Sequence, residues 1–250
     1  MPVAARAETV RAAGFGAMEM WWPFPTSHPS DADVDGFVRA VRDAGVTLSA
    51  LNFSGGAVEA GERGLVSLPG RENEFRESVD IAVAIGSALG SAGFNALYGC
   101  RDDAHHPSRQ DEVARENLHY AARAAASIGA TVYVEPLSGV PAYPVRRIDH
   151  ARAVVDALTG APPGSIGVLA DLYHLAMNDD PAMADPTRWA ESVAHVQIAD
   201  VPGRGAPGSG RLDLHASLRT LCAQGYGGYV GLEYFDTTDD PFGWLDKEVH

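Results

Sequence analysis

The chain has 250 residues, of which 46% are hydrophobic and 21% are charged, a composition that supports a large buried core and excludes disordered, collagen-like and coiled-coil proteins. Its 33 acidic residues outnumber its 19 lysines and arginines, and the resulting net charge of -14 repels nucleic-acid phosphates. No stretch reaches the roughly 18 apolar residues of a membrane span, and Arg6 and Glu8 lie where a signal peptide would be apolar. We expect one cytoplasmic domain, residues 1–250, that binds neither membranes nor nucleic acid.

Helix-like and strand-like segments alternate along the chain, which is typical of parallel α/β proteins. Seven short apolar segments, rich in branched and aromatic residues, are predicted as strands buried on both faces. These strands begin at Phe15, Val46, Gly93, Thr131, Ile166, Ala194 and Tyr229. Helices are predicted at residues 4–13, 31–45, 71–90, 108–129, 146–158, 181–192 and 213–224. A βα series of this length predicts a (β/α)8 TIM barrel.

The first strand of that barrel is missing from the pattern. Residues 4–13 have helix character and lead directly into the strand at Phe15, so they correspond to the helix after a first strand. An open sheet edge promotes aggregation unless it is paired, covered or charged. We therefore expect a partner chain, a terminus or a shifted element to fill the gap, and the gap also favours a homo-oligomer.

Four late strands each end in one oxygen-bearing side chain. These residues are Glu135, Asp171, Gln197 and Glu233, separated by 36, 26 and 36 residues, or about one βα repeat each. A parallel barrel brings all four to the same mouth. One acid at a strand end more often caps a helix or forms a salt bridge, but four in register favour a shared site.

A divalent cation is the simplest reason for such acids to converge in an apolar setting. Ionised carboxylates are costly to bury, and crowding raises their pKa values further unless a cation neutralises them. Three carboxylates and one amide oxygen form an all-oxygen set that suits Mg²⁺ or Mn²⁺. The sequence therefore predicts a metal site at the mouth of the barrel.

His174 and Arg204 are candidates for binding a polar or anionic substrate at the same mouth. His174 lies three residues beyond Asp171, and Arg204 follows the strand that carries Gln197. A structural histidine and a solvated loop arginine are the alternatives. The stretch from Gly203 to Gly208 spells GxGxxG, but Pro207 interrupts it and no helix begins there, so we expect no nucleotide cofactor.

Motifs along nearly the whole chain resemble those of the hydroxypyruvate isomerase family, a branch of the xylose isomerase-like barrels. They are AGFGAMEMWWPFP from Ala13, AGERGLVSLPGRENEFR from Ala60, VEPLSGVPAYP from Val134, DLYH from Asp171, HVQIADVPGRGAPGSG from His195 and GYVGLEYFDTT from Gly228. The chain departs from the family by lacking the N-terminal strand and by having Ala57 where an Asp is frequent.

The resemblance implies a role for each candidate residue. It implies a metal held by Glu135, Asp171, Gln197 and Glu233, with Glu135 and Glu233 as the acid/base pair. It also implies that His174 and Arg204 lie close to the substrate. Glu62 and Arg63 keep the family's loop signature, so we expect them to bind substrate near the mouth, with a surface ion pair as the alternative.

The reaction that the resemblance implies is the interconversion of hydroxypyruvate and tartronate semialdehyde through an enediolate, with a small-molecule substrate and no redox cofactor. Isomerisation of a 2-oxotetronate and 3-epimerisation of a keto sugar are alternatives that would use the same metal and glutamates. A non-catalytic sugar-binding barrel and an abasic-site endonuclease are further alternatives, and the chain lacks the basic surface of the latter. The wall of the pocket would decide the substrate, and Trp21, Trp22, Phe24 and Tyr98 are predicted wall residues, with core aromatics as the alternative.

Overall fold

The computed structural model describes residues 2–238 and 240–245, and seven parallel strands form one sheet within them. Each strand pairs with the next one along the chain, in the order β1 to β7. The strands are β1 (Ala17–Met20), β2 (Thr47–Asn52), β3 (Gly93–Asn95), β4 (Thr131–Val134), β5 (Ile166–Asp171), β6 (Val193–Ile198) and β7 (Val230–Leu232). This arrangement confirms the predicted barrel with seven of its strands.

Helices connect the strands and cover the outside of the sheet. They are α1 (Val3–Ala12), α2 (Asp31–Ala44), α3 (Glu72–Leu89), α4 (Pro107–Ala126), α5 (Ile148–Asp156), α6 (Leu172–Met177) and α7 (Leu214–Ala223). The Ser30 side chain accepts the Asp33 N–H at the start of α2, and Gly45 ends that helix in the left-handed conformation. No helix among the described residues is both long and apolar enough to cross a lipid bilayer.

The predicted helix at 181–192 is wrong. Three short 3₁₀ turns occupy the segment, at Pro181–Ala184, Pro186–Arg188 and Ala190–Ser192. Pro186 has no N–H to donate and disfavours the α conformation at Asp185, so one continuous helix cannot form. The Asp180 and Asp185 side chains accept the N–H groups of Ala182 and Thr187, which stabilises the separate turns.

The inward face of the barrel has two levels, because alternate residues of a strand face the same side. Tyr133, Leu169 and His195 lie two residues before Glu135, Asp171 and Gln197 respectively. Tyr133 and Leu169 pack with Ala50 in a small cluster that is separate from the large core between sheet and helices. The lower residues therefore fill the barrel, and the residues two positions later reach its rim.

The described residues contain no hydrogen-bonded ladder between β1 and β7, but side chains cross the space between these strands. Trp21 Nε1 donates to Glu233 Oε1 at 2.9 Å. The segment after β7 returns to the start of β1, where the Phe242 and Phe15 rings lie 5.3 Å apart. Residues 3–12 form α1 and supply no strand, as the sequence predicts. A homo-oligomer stays a prediction.

The loop after β2 packs closely against the segment after β3. Gly64 N donates to Gly55 O, and Gly99 N donates to Arg63 O, each at 3.0 Å. A Cβ at Gly64 would overlap the carbonyl group of Leu97, and the Gly64 φ of +106° is a conformation that side chains disfavour. Gly64 therefore permits the approach that holds this loop at the mouth.

Substituting Gly64→Ala is expected to destabilise the fold more than Gly61→Ala. Gly61 has a similar φ of +98° but open space around the position of a Cβ, so its substitution carries only backbone strain of about 1–2 kcal/mol. The overlap at Gly64 adds about 1–3 kcal/mol to that loss. Free energies of unfolding from urea titrations measure the difference, and equal losses in the two variants would contradict the packing argument.

Candidate active site

The four predicted metal ligands lie at the C-terminal ends of neighbouring strands. Asp171 and Gln197 are register partners across β5 and β6. Glu135 follows β4 directly, and Glu233 follows β7 directly. Glu135, Asp171 and Gln197 are buried, with 4%, 1% and 5% of their surfaces exposed. Sequence spacing therefore brings three carboxylates and an amide to one rim.

Arg204 connects two of the carboxylates. Its Nη2 lies 3.2 Å from Asp171 Oδ2 and 2.9 Å from Glu233 Oε1. Its Nε donates to Glu233 O at 3.0 Å. The rings of Tyr173 and Phe235 lie 5.3 and 5.7 Å from the guanidinium carbon, so aromatic faces also hold this cation. The structure brings Arg204 into the site, as predicted from its place after β6.

Burial makes ionisation of these carboxylates costly. Burial, and then the charges of Glu233 and Asp171, raise the pKa of Glu135 well above its usual range. Burial raises the pKa of Asp171 to about 6 against the opposing charge of Arg204. It raises the pKa of Glu233 to about 8, again against Arg204. One guanidinium does not neutralise three carboxylates, so a further positive charge would stabilise their ionised forms.

His174 faces the carboxylates through a fixed ring nitrogen. The Ser138 backbone N–H donates to His174 Nδ1 at 3.0 Å, so Nδ1 accepts and the proton of the neutral ring lies on Nε2. Burial, with the charge of Arg204, lowers the His174 pKa to about 3, in agreement with a neutral ring. The Nε2 atom lies 3.6 Å from Asp171 Oδ2 and 4.0 Å from Glu135 Oε1.

The donor atoms fit a divalent cation. Ligand atoms of Glu135, Asp171 and His174 all lie within 4.8 Å of one another, so this buried group could hold a metal ion. Because His174 carries its proton on Nε2, the oxygen donors of the rim suit the ion better than this nitrogen. Gln197 supplies one, since its Oε1 is buried and has no hydrogen-bond partner among the described residues. A buried acceptor that lies beside carboxylates and receives no hydrogen bond is suited to bind a cation.

Two polar residues at the site were not predicted from the sequence. Asn95, the last residue of β3, donates through Nδ2 to Glu135 Oε2 at 2.6 Å. Glu19, in the middle of β1, accepts from Gln197 Nε2 at 3.0 Å. Glu19 interrupts an apolar strand in the same way as the predicted ligands do, and that signal was available in the sequence.

A buried carboxylate organises the loop that carries Arg204. Asp200 follows β6 and accepts the N–H groups of Val201, Gly210 and Leu212 at 2.8, 2.8 and 3.0 Å. Asp200 and Gly205 also exchange two backbone hydrogen bonds. These bonds fix the glycine-rich stretch after β6, so Arg204 is presented from an ordered loop.

The comparisons with known proteins agree with this geometry. A family model described as a xylose isomerase-like TIM barrel matches residues 7–249. A Streptomyces coelicolor protein with the provisional name hydroxypyruvate isomerase is 44% identical over 98% of this chain and 91% of the relative. The chain belongs to the hydroxypyruvate isomerase family of xylose isomerase-like barrels.

Two further matches support membership of the barrel family. The 2-oxo-tetronate isomerase of Cupriavidus necator is 31% identical to this isomerase, over 94% of this chain and 88% of the relative. A crystal structure described as an AP endonuclease, family 2, from Brucella melitensis superposes with a TM-score of 0.86 at 32% identity. That match covers 99% of this chain and 94% of the Brucella chain. The predictions of fold, family and isomerase class are confirmed.

Glu62 and Arg63 lie in the loop after β2, at the same end of the barrel as the rim. Glu62 Oε1 pairs with Arg71 Nη1 at 2.8 Å, and Glu62 Oε2 accepts the Ala57 N–H at 2.5 Å. Arg63 Nη1 donates to the carbonyl oxygens of Val58 and Glu62. The described hydrogen bonds and ion pairs of both side chains stay within this loop and the start of α3, so a role in substrate binding stays a prediction.

The predicted wall aromatics of the isomerase fall into two groups. Trp21 is 54% exposed and donates to Glu233, which places its indole at the mouth. Trp22 and Phe24 continue a chain of ring contacts to Phe37 of α2, as core aromatics do. The Tyr98 hydroxyl donates to Asp111 of α4. Of the four, only Trp21 is hydrogen-bonded to a predicted site residue among the described residues.

Replacing Glu233 by Gln is expected to stabilise the metal-free isomerase increasingly as the pH rises. The pKa of Glu233 is about 8 in the fold and 4.5 ordinarily, so the folded state binds the proton more tightly than the unfolded chain. The free energy of unfolding therefore falls between about pH 4.5 and pH 8 as Glu233 ionises, and Glu233→Gln removes that loss. Thermal unfolding in EDTA from pH 5 to pH 8.5 measures the difference between variant and wild type.

Glu116→Gln, on the exposed face of α4, is the matched control for loss of one acidic side chain. Its unfolding midpoint is expected to follow that of the wild type across the range. A Glu233→Gln difference that stays constant from pH 5 to pH 8.5 would contradict the raised pKa.

Proposed function

We propose that this isomerase interconverts hydroxypyruvate and tartronate semialdehyde through an enediolate, with a divalent cation, Mg²⁺ or Mn²⁺, at the rim of the barrel. The observation that carries the proposal is the convergence of two buried carboxylates, one half-buried carboxylate and one unpartnered amide oxygen at a rim that has a single guanidinium. The 44% identical relative with the provisional name hydroxypyruvate isomerase supports the choice of substrate.

Glu135, Asp171, Gln197 and Glu233 would hold the cation. They offer oxygen atoms only, which suits hard divalent ions. Asn95 holds the Glu135 carboxylate in place, and Trp21 holds that of Glu233. When bound, the cation supplies electrostatic stabilisation of the negative charge that develops on the substrate oxygens.

Glu135 and Glu233 are suited to move the proton because they reach the mouth from strands that are not neighbours. They follow β4 and β7, which are separated by two strands of the sheet. One carboxylate removes a proton from the hydroxymethyl carbon, C3, and the enediolate forms. The other delivers a proton to C2, while the hydroxyl proton moves from the C3 oxygen to the C2 oxygen. General acid or base catalysis of this kind contributes about 100-fold or more per group.

Arg204 and His174 would bind and orient the substrate. The Arg204 guanidinium presents a planar fork that matches a carboxylate, and the substrate has a carboxylate next to its carbonyl group. The His174 Nε2–H is the donor that faces the rim, and Ser138 holds the ring in this tautomer. A neutral His174 can therefore donate to a substrate oxygen without competing for the cation.

Removing the divalent cation is expected to abolish turnover. EDTA-treated protein should lose activity with hydroxypyruvate and recover it with Mn²⁺ or Mg²⁺. Glu233→Gln should lower kcat by about 100-fold or more at saturating Mn²⁺, because its amide cannot exchange a proton with carbon. Glu116→Gln should retain wild-type kcat. Full activity in EDTA would contradict the proposed role of the cation.

Arg204→Lys is expected to lower kcat/KM for hydroxypyruvate by about 10- to 100-fold, mainly through KM, because lysine keeps the charge but loses the fork. Arg211→Lys, at an exposed position in the same loop, is the matched control and should leave both constants unchanged. Steady-state kinetics check the prediction. An unchanged KM in Arg204→Lys would exclude contact between this guanidinium and the substrate carboxylate.

Isomerisation of a 2-oxotetronate is the second candidate, favoured by the 31% identical relative that carries this name. A 2-oxotetronate has the same carboxylate for Arg204, whereas a neutral keto sugar does not. The net charge of -14 disfavours an endonuclease despite the name of the Brucella structure. A panel of hydroxypyruvate, 2-oxotetronates and ketohexoses tests the substrate, and the highest kcat/KM is expected for hydroxypyruvate.

A further inference from the structure

Glu19 is an acid in the middle of an apolar strand. Its neighbours in β1, Met18 and Met20, are buried in the main core between sheet and helices. Alternation along the strand therefore turns the Glu19 side chain toward the barrel interior, where 16% of it is exposed. An acid at such a position is costly unless donors satisfy its oxygens.

Both oxygens of Glu19 are satisfied from β6. Glu19 Oε2 lies 2.6 Å from His195 Nε2, and Glu19 Oε1 accepts from Gln197 Nε2 at 3.0 Å. The His195 ring stacks on Tyr133 at a centroid distance of 5.0 Å and an interplanar angle of 7°. His195 is thus fixed from its other side and in turn fixes the carboxylate of Glu19.

The barrel also provides space for Glu19 on its opposite side. A Cβ at Gly231 in β7 would collide with the Glu19 carboxylate, so only glycine leaves room for it. Gly231 is the register partner of Gln197. Glu19 therefore occupies a position at which β1, β6 and β7 meet, immediately below the rim.

The chemistry of the contact fixes the orientation of the Gln197 amide. A carboxylate accepts hydrogen bonds, so the amide must turn its NH₂ group toward Glu19 and its carbonyl oxygen away from it. That oxygen is the buried Gln197 atom without a hydrogen-bond partner. Reversing the amide would place two acceptors together and would remove a ligand from the rim.

We propose that Glu19 is a positioning residue, which holds the Gln197 amide so that its oxygen faces the divalent cation. The inference rests on the proposed function, because it concerns one of the cation's four proposed ligands. It predicts that Glu19 affects cation affinity through Gln197 and without direct contact with the substrate. Residues that orient metal ligands in this way typically change affinity by about 10- to 100-fold when replaced.

Mn²⁺ affinity, measured from the electron paramagnetic resonance signal of free Mn²⁺, tests the proposal without substrate. Glu19→Gln is expected to raise the Kd by about 10- to 100-fold, because a glutamine accepts either orientation of the facing amide. Gly231→Ala keeps the charge of Glu19 but displaces its carboxylate, and a similar rise is expected. Glu116→Gln removes one acidic side chain far from the rim and should leave the Kd unchanged.

A double-mutant cycle with Gln197→Ala separates the effect of Glu19 on the orientation of the Gln197 amide from the effect of the Glu19 charge. In the Gln197→Ala protein, Glu19→Gln should have little further effect on the Kd, because the amide that it orients is gone. An equal loss in both backgrounds would overturn the proposal and identify a simple charge effect. An unchanged Kd in Glu19→Gln would also overturn it.

Failure of the proposed function gives a different result, since wild-type protein would then not bind Mn²⁺ at all.

A measurement on wild-type protein keeps the test valid if Glu19→Gln does not fold. The Gln197 side-chain amide protons, assigned by their loss in Gln197→Ala, should exchange slowly with water in nuclear magnetic resonance spectra. Fast exchange would show that Glu19 does not hold the amide.

Discussion

The rest of this structure depends on the need to compensate negative charge that a parallel barrel concentrates at one rim. Each βα unit ends its strand at the same edge, so single acids on successive strands necessarily converge. Asp171 and Glu233 share Arg204, while the Glu135 carboxylate has one hydrogen bond, from Asn95, and a neutral histidine nearby. The pKa values of all three carboxylates are raised, which means that the fold destabilises their ionised forms.

Each of the four proposed ligands at the rim is held by a hydrogen bond that leaves part of its side chain available to a cation. Asn95 holds Glu135, the Tyr173 N–H holds Asp171, and Glu19 holds Gln197. Glu233 is held by Trp21 and Arg204. Placement before binding would reduce the cost of ordering the ligands for a cation, and the crowded carboxylates destabilise the protein without a further positive charge. Stability and function therefore oppose each other at this rim.

The convergence of side chains at one rim could be predicted because strand ends and βα spacing are local signals. Glu135, Asp171, Gln197 and Glu233 could be placed together without a structure, since any parallel barrel aligns strand ends. The acid of Glu19 within an apolar strand and the amide of Asn95 at a strand end are both visible in the sequence, but no local pattern pairs Glu19 with Gln197 across 178 residues.

The incorrect and incomplete predictions also have physical causes. A helix was predicted over 181–192 to connect two strands, but Pro186 and the caps of Asp180 and Asp185 divide the segment into 3₁₀ turns. The aromatic residues after β1 were predicted as wall residues with core aromatics as the alternative, and the structure separates them. Trp21 donates to Glu233 at the mouth, while Trp22 packs against the core. The side that a loop residue faces depends on tertiary contacts, which composition does not encode.

The position of Mn²⁺ in a crystal of the protein, located by its anomalous scattering, tests most directly whether the rim binds a divalent cation. We expect one strong peak at the rim, within bonding distance of oxygen atoms from Glu135, Asp171, Gln197 and Glu233, with His174 outside the coordination shell. A peak bound through His174 Nε2 without Gln197, or strong peaks only away from the rim, would contradict it.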